Sequence, residues 1–157
     1  MTREDAALVR ALLTTPRHLA LGVLVDGAPY VGLLPFAASP GLDGAWVHAS
    51  RLARHTRGLG PGAPFSALVH LGAPDVDPLQ VPRLTLLGVV EPLPREGPDH
   101  LAARAAYLAR IPAAEPLFAL GDFELYLLRF RTGRLIAGFA QARDVSPADL
   151  AEAAQVG

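Results

Sequence analysis

The sequence predicts a mainly β protein: a closed or partly closed barrel with peripheral helices, built as one domain over residues 1–157. Three observations carry that prediction. Runs such as LTLLGVV (Leu84–Val90) and YLLRF (Tyr126–Phe130) are apolar toward both sides, as strands covered on both faces are. The strand-like runs follow one another through tight turns, the connection that hairpin-built barrels use. Apolar residues make up 51% of the chain and the net charge is −1, a globular composition. At this length one domain buries ~70% of the surface of its unfolded form.

The elements follow in order. Over 3–14, Ala6, Val9, Leu12 and Leu13 recur at helical spacing, and Thr14-Thr15-Pro16 ends the helix. His18–Val25 reads as a strand. Asp26-Gly27 is a hairpin turn of the type in which both central residues need positive φ, so Tyr30–Ala37 pairs back as the second strand. A loop over 39–44 leads to a third strand, Ala45–Ala49. Ser50 is placed to cap a short helix running to about Leu59, where Gly58, Gly60, Pro61 and Gly62 stop it. Phe65–Leu71 and Arg83–Val90 are strands on either side of a Pro- and Asp-rich loop. Pro98–Ile111 is helical, with Leu101, Ala105 and Leu108 on one stripe and Pro112 closing it. Phe123–Arg131 alternates as a strand, Thr132-Gly133 reads as a turn, and Arg134–Ala140 returns. Ser146-Pro147-Ala148-Asp149 opens a last helix over about 146–155 with a cap, a proline at its first position and an early acidic residue. The tally is six or seven strands and three or four helices.

Several classes of function are excluded by composition. The absence of cysteine removes disulfides, thiolate metal sites and cysteine nucleophiles. A near-neutral chain has no overall field for nucleic acid. No apolar run approaches ~18 residues, which argues against a membrane helix, and the opening MTREDAALVR lacks the apolar core of a signal peptide. A cytoplasmic protein is the resulting expectation. His18, His48, His55, His70 and His100 show no metal-ligand spacing, so no metal site is expected. His48 and His70 lie in strands and are read as hydrogen-bonded structural residues, and the aromatics as core. Neither a GxSxG elbow nor a phosphate-binding glycine loop is present, and no side chain stands out as catalytic.

One stretch is conspicuous. HASRLARHTRGL, His48–Leu59, holds three arginines, two histidines, a serine and a threonine. A helix starting at Ser50 would aim free N–H groups at an anion. Leu52, Thr56 and Leu59 would then face the core, with Arg51, Arg54 and His55 on the neighbouring face. A solvated basic helix has the same spacing, and on spacing alone the two readings stand level.

The motifs DGAPYVGLLPFA, ASRLARHTRGL, DPLQVPRLTLLGVVEPL, YLARIPAAEPLFALGDFELYLLRF and LIAGFAQA, in that order, resemble the pyridoxamine 5′-phosphate oxidase-like FMN-binding split barrels. The similarity is strongest to the branch named for heme iron utilisation and spans about residues 6–142. It implies a six-stranded split barrel with flanking helices, working as a homodimer with ligand sites at the subunit interface. It implies FMN as cofactor, with Ser50, His55 and Thr56, and with them Arg51 and Arg54, around the flavin phosphate. Arg83 matches a polar position that meets the flavin in oxidase relatives, and Leu34 and Pro35 present backbone to the ring. The family pattern HTRNL is HTRGL here, Gly58 standing where an amide is usual. Longer members of the heme branch continue into a further domain, which this sequence is not expected to carry. Three readings of function stay open: an FMN-dependent oxidoreductase of a small-molecule substrate, a heme-binding or heme-handling protein, and a non-catalytic flavin-binding module.

Overall fold

In the computed structural model, which describes residues 1–157, Asp26 and Gly27 take φ of 52° and 78°. That is the positive pair a tight hairpin needs. The strands they join, β1 (His18–Val25) and β2 (Ala28–Pro35), pair from Val25↔Ala28 to His18↔Pro35. Before them, Thr2 accepts a hydrogen bond from the Asp5 N–H and starts α1 (Arg3–Thr14). After them come β3 (Ala37–Ala38), β4 (Gly44–Ser50), β5 (Pro64–His70), β6 (Arg83–Leu93), α2 (His100–Arg110), β7 (Phe123–Gly138), β8 (Gln141–Val145) and α3 (Pro147–Gln155). Two 3-10 helices, Arg54–Gly58 and Pro112–Ala119, complete the chain. No helix is long and apolar enough to cross a membrane.

All strands belong to one antiparallel sheet of eight, in the order β2-β1-β5-β6-β7-β4-β3, with β8 on the far part of β7. The hydrogen-bonded path is open. Its two ends are nonetheless chain neighbours, because only Phe36 separates β2 from β3, and Phe36 is buried in the core. The sheet therefore curls until its ends meet at that residue without a closing ladder. Alternate residues of β1 (Leu19, Leu21, Val23, Val25), β5 (Phe65, Ala67, Val69) and β6 (Leu84, Leu86) point into the resulting core. α1 contributes Ala6, Val9, Leu12 and Leu13, and α3 contributes Leu150 and Ala153. A smaller cluster on the other face of β4 and β7 joins Ala37, Leu125, Ala103, Tyr107 and Ala114, which is how α2 and the Pro112–Ala119 helix dock.

Four expectations are corrected. The sheet has eight strands, beyond the six of the family pattern and the tally of six or seven. Thr132-Gly133 is no turn: these residues pair with Leu87 and Leu86, so β7 runs unbroken past β6, with a register shift opposite Leu87/Gly88. The reversal comes at Phe139-Ala140, where Ala140 takes φ 59° and Gly138 pairs with Gln141. The Ser50-capped helix is replaced by a 3-10 helix that begins at Arg54 behind Ala53, with no side-chain cap. Leu52 accordingly lies 87% exposed instead of facing the core, although Leu59 is buried as expected.

Candidate ligand site

Ser50 ends β4, and its hydroxyl explains why no helix starts there. The Ser50 Oγ donates to the Asp122 carboxylate at 2.6 Å and accepts from the Leu52 N–H at 3.1 Å. The Arg51 N–H donates to the Asp122 carbonyl. The amides that a Ser50-capped helix would have left free are thus taken within the chain. Thr56 Oγ1 donates to the Ser50 carbonyl at 2.6 Å, and the Ala53 N–H donates to the same oxygen. These bonds fold residues 50–56 into a tight turn.

Of its arginines, Arg51 donates to the Gly121 carbonyl and Arg57 pairs with Asp26 of the hairpin turn. Arg54 alone makes no hydrogen bond, and its guanidinium lies 5.9 Å from the centre of the Tyr30 ring. The turn presses on β1 at Gly58. A Cβ there would come within 2.7 Å of the Val23 Cβ and 2.8 Å of the Leu24 carbonyl oxygen. Gly58 is buried and leaves no space for the usual amide.

A cavity of about 430 Å³ opens beside this turn, within the size range of small-molecule sites. Leu33, Leu34 and Pro35 of β2 form one wall, and Tyr107, Ile111, Ala114 and Leu117 of α2 and the Pro112–Ala119 helix form the opposite one. Its polar lining is His48, Ser50 and His55. Sequence reasoning brought Ser50, His55, Leu34 and Pro35 to one place, and the fold does so too. β2 ends the sheet path, so one edge of its backbone has no strand partner.

Two ring nitrogens mark the site as incomplete. His48 Nδ1 and His55 Nε2 are buried without a hydrogen-bond partner, and such atoms in a folded protein call for a specific explanation. His48, read from sequence as a satisfied strand residue, is corrected here. Its ring stacks on Phe118 at 3.9 Å and 8° and meets Phe123 at 5.1 Å, and it is 7% exposed. Burial, with the positive charge of Arg95, His100 and Arg104 behind it, pushes its pKa down to about 4. Burial lowers that of His55 and raises the Tyr107 phenol to about 12. The cavity lining is therefore uncharged near neutral pH. Beside His55, a Cβ on Gly32 would come within 3.1 Å of the imidazole Nδ1, so the bare backbone there makes room for the ring.

His48 was missed as a site residue because a lone histidine in an apolar strand gives no pattern. Phe118 lies in a helix the sequence did not show, and Phe139, expected in the core, is 66% exposed.

Arg83 lies elsewhere. It begins β6, donates to the Val81 carbonyl and faces His70 across the ladder. Arg83 is not among the residues that line this cavity; with His70 it lines a separate one.

The fold has counterparts among solved structures. A heme-binding protein from Mycobacterium smegmatis is 26% identical, with a TM-score of 0.83 over 97% of this chain and 61% of the other. This chain thus spans under two thirds of that protein's length. A Clostridium acetobutylicum protein of the pyridoxinephosphate oxidase family, related to a general stress protein, is 14% identical, with a TM-score of 0.70 over 96% and 99% of the two chains. A FAD-binding protein from Mesorhizobium loti is 16% identical, with a TM-score of 0.64 over 93% and 96%. The last two likenesses concern the fold alone. No protein-family model matches the chain, and no curated protein matches its sequence.

Proposed function

We propose, from the premise that the chain belongs to the pyridoxamine 5′-phosphate oxidase-like split-barrel family and to its heme-utilisation branch, that it binds FMN in the cavity beside Ser50 and His55 and serves as a flavin-dependent oxidoreductase of a small molecule. The observation that carries the reading is the unpartnered His55 nitrogen beside an apolar slot walled by an edge strand. Those features suit a flat ring with a polar rim. Leu34 and Pro35 would support the ring, and His55 with Arg54 and Ser50 would face its polar side and phosphate. Thr56, held on the Ser50 carbonyl, and Arg51, held on Gly121, would shape the turn. FMN, when bound, supplies hydride or electron transfer at its ring. The protein's part is position, dryness and electrostatics.

A homodimer belongs to the same proposal. Leu24, Val31, Leu33, Leu68 and Leu87 are between 39% and 72% exposed on the outer side of β2, β1, β5 and β6. A contiguous apolar patch of this kind is a mark of an interaction face. On the same proposal, an Arg83 that does not line the cavity of its own chain would meet the flavin from the second copy.

Heme is the second reading. It is favoured by the heme-binding relative with 26% identity and by two buried imidazoles without partners. The visible spectrum separates the readings. Bound FMN gives flavin bands and quenched flavin fluorescence on titration, whereas hemin gives a shifted Soret band. A colourless protein that takes up neither overturns both and leaves a non-catalytic barrel. On the flavin reading, His55→Ala weakens FMN about fivefold to tenfold, the size of one hydrogen bond. Arg83→Ala weakens it through the second copy. FMN affinity unchanged in both variants removes the site assignment.

A further inference from the structure

The cofactor reading uses the β2 side of the cavity and leaves the opposite side, around His48, without a role. That side is a built pocket. Phe118 stacks flat on the His48 ring, and Phe123 and Tyr107 meet it at centroid distances of 5.1 and 5.9 Å, so the plane of the imidazole is held. Neither ring nitrogen is hydrogen-bonded within the chain, and only Nδ1 is sealed from contact. A neutral imidazole carries one proton on one nitrogen. A ligand acceptor at Nε2 would fix the proton there and leave the buried Nδ1 as the acceptor nitrogen. No Arg, Asp or Glu lines the cavity beside His48, so an ionised group on that side would lose its hydration without a counter-charge, unlike a phosphate at the turn, which Arg54 would meet. Arg104 lies 5.0 Å over the Phe118 ring that stacks on His48, and its charge and that of Arg95 act on the imidazole. Their field favours an electron-rich atom at the imidazole, and aromatic walls favour a flat ring.

We propose that His48 is the recognition residue for an uncharged, flat aromatic carbonyl compound of the quinone class, whose carbonyl oxygen accepts a hydrogen bond from the His48 Nε2–H. The inference rests on the flavin reading for placing this ligand beside a cofactor ring, but the site itself can be tested without flavin. Trp46, the one tryptophan, lies two residues from His48 on the same face of β4 and reports binding by its fluorescence. The chain has no cysteine, and its fourteen Lys+Arg residues are all arginine. Its N-terminal amine is paired with Asp149 and Glu152. The chain therefore offers a quinone probe no thiol or lysine amine as nucleophile.

The probes are 1,4-naphthoquinone, naphthalene and 1,4-naphthoquinone-2-sulfonate, titrated into wild type, His48→Phe and His48→Gln, with FMN titrated separately into each. Wild type is expected to bind naphthoquinone about tenfold more tightly than either naphthalene or the sulfonate. His48→Phe keeps the stacked ring and loses the preference over naphthalene, whereas His48→Gln, which keeps a donor, recovers most of it. The proposal is overturned if wild type does not bind the quinone, if the sulfonate binds as tightly, or if His48→Phe keeps the preference. Failure of FMN to bind wild type removes the flavin reading alone, because the three probes still report on His48.

Discussion

Two regions that touch at Ser50 treat their polar groups in opposite ways. In the turn from Ser50 to Gly58, Ser50 is bound to Asp122, Thr56 to the Ser50 carbonyl, Arg51 to Gly121 and Arg57 to Asp26. Two residues upstream, His48 lies deeper in the protein, with both ring nitrogens lacking any partner in the chain. The dense polar segment is largely engaged in holding itself to the barrel. The sparse one retains an unmet hydrogen bond, worth about 1–3 kcal/mol against folding. Polar density along a sequence marks where a chain needs fastening. An unpaired polar group in a buried place marks where something else is expected to bind.

The sharpest way to break the comparison is at Gly58. Gly58→Asn restores the amide usual in the family pattern, and if the turn were principally a ligand cradle the change would strengthen it. The packing predicts the reverse, because the new Cβ meets Val23 and the Leu24 carbonyl at 2.7 and 2.8 Å. We expect a loss of about 2–3 kcal/mol, the cost of overpacking, read as a lower urea midpoint with FMN affinity falling in step. Unchanged stability would show that the turn moves off β1 at little cost and is not a fastening.

How far the sequence could foresee this follows from the range of each interaction. The β1–β2 hairpin, α1, α3 and their caps are set by neighbours within a few positions, so their signals were local and read well. Ser50, His55, Leu34 and Pro35 were gathered through the motifs that carry the family resemblance. The 3-10 turn at Arg54 was not legible, because it depends on Asp122 and Gly121, seventy or so positions away. The same holds for β7, whose Thr132-Gly133 has turn-like chemistry but is kept straight by pairing to β6. His48 was missed for the converse reason: what distinguishes it is the lack of a partner, and a sequence does not display an absence.

A smaller effect, of opposite sign, is expected at His48. With its pKa held at about 4 by burial against an ordinary 6.5, the folded state disfavours the protonated ring. As pH falls, the unfolded chain takes up this proton first. Stability is therefore kept above about pH 6.5 and lost as pH falls toward about 4. His55 and His100 are shifted in the same direction and add to the loss. His48→Phe removes its share, so urea unfolding from pH 8 to pH 4.5 should give a shallower fall for the variant. At pH 8 the variant should also be about 1 kcal/mol more stable, since an unmet polar group is gone. Equal slopes would mean that His48 is solvated after all and that the contrast with the turn does not hold.

The smallest effect separates fastening from binding inside the turn itself. Arg57 and Asp26 form an exposed pair, with side chains 55% and 70% accessible, and such pairs contribute at most ~1 kcal/mol and often nothing measurable. Arg57→Ala should therefore shift the urea midpoint barely measurably and leave FMN affinity alone. Arg54 lies three positions earlier, has no hydrogen bond to lose and is held over Tyr30 at the edge of the same turn. Arg54→Ala should likewise leave stability unchanged but weaken FMN severalfold, because its guanidinium is the one in the turn still free to meet a phosphate. The two variants remove the same charge from the same segment, so any difference in FMN affinity comes from which arginine is already engaged. If Arg57→Ala proves the more damaging to FMN, engagement within the chain does not predict which polar groups a ligand uses.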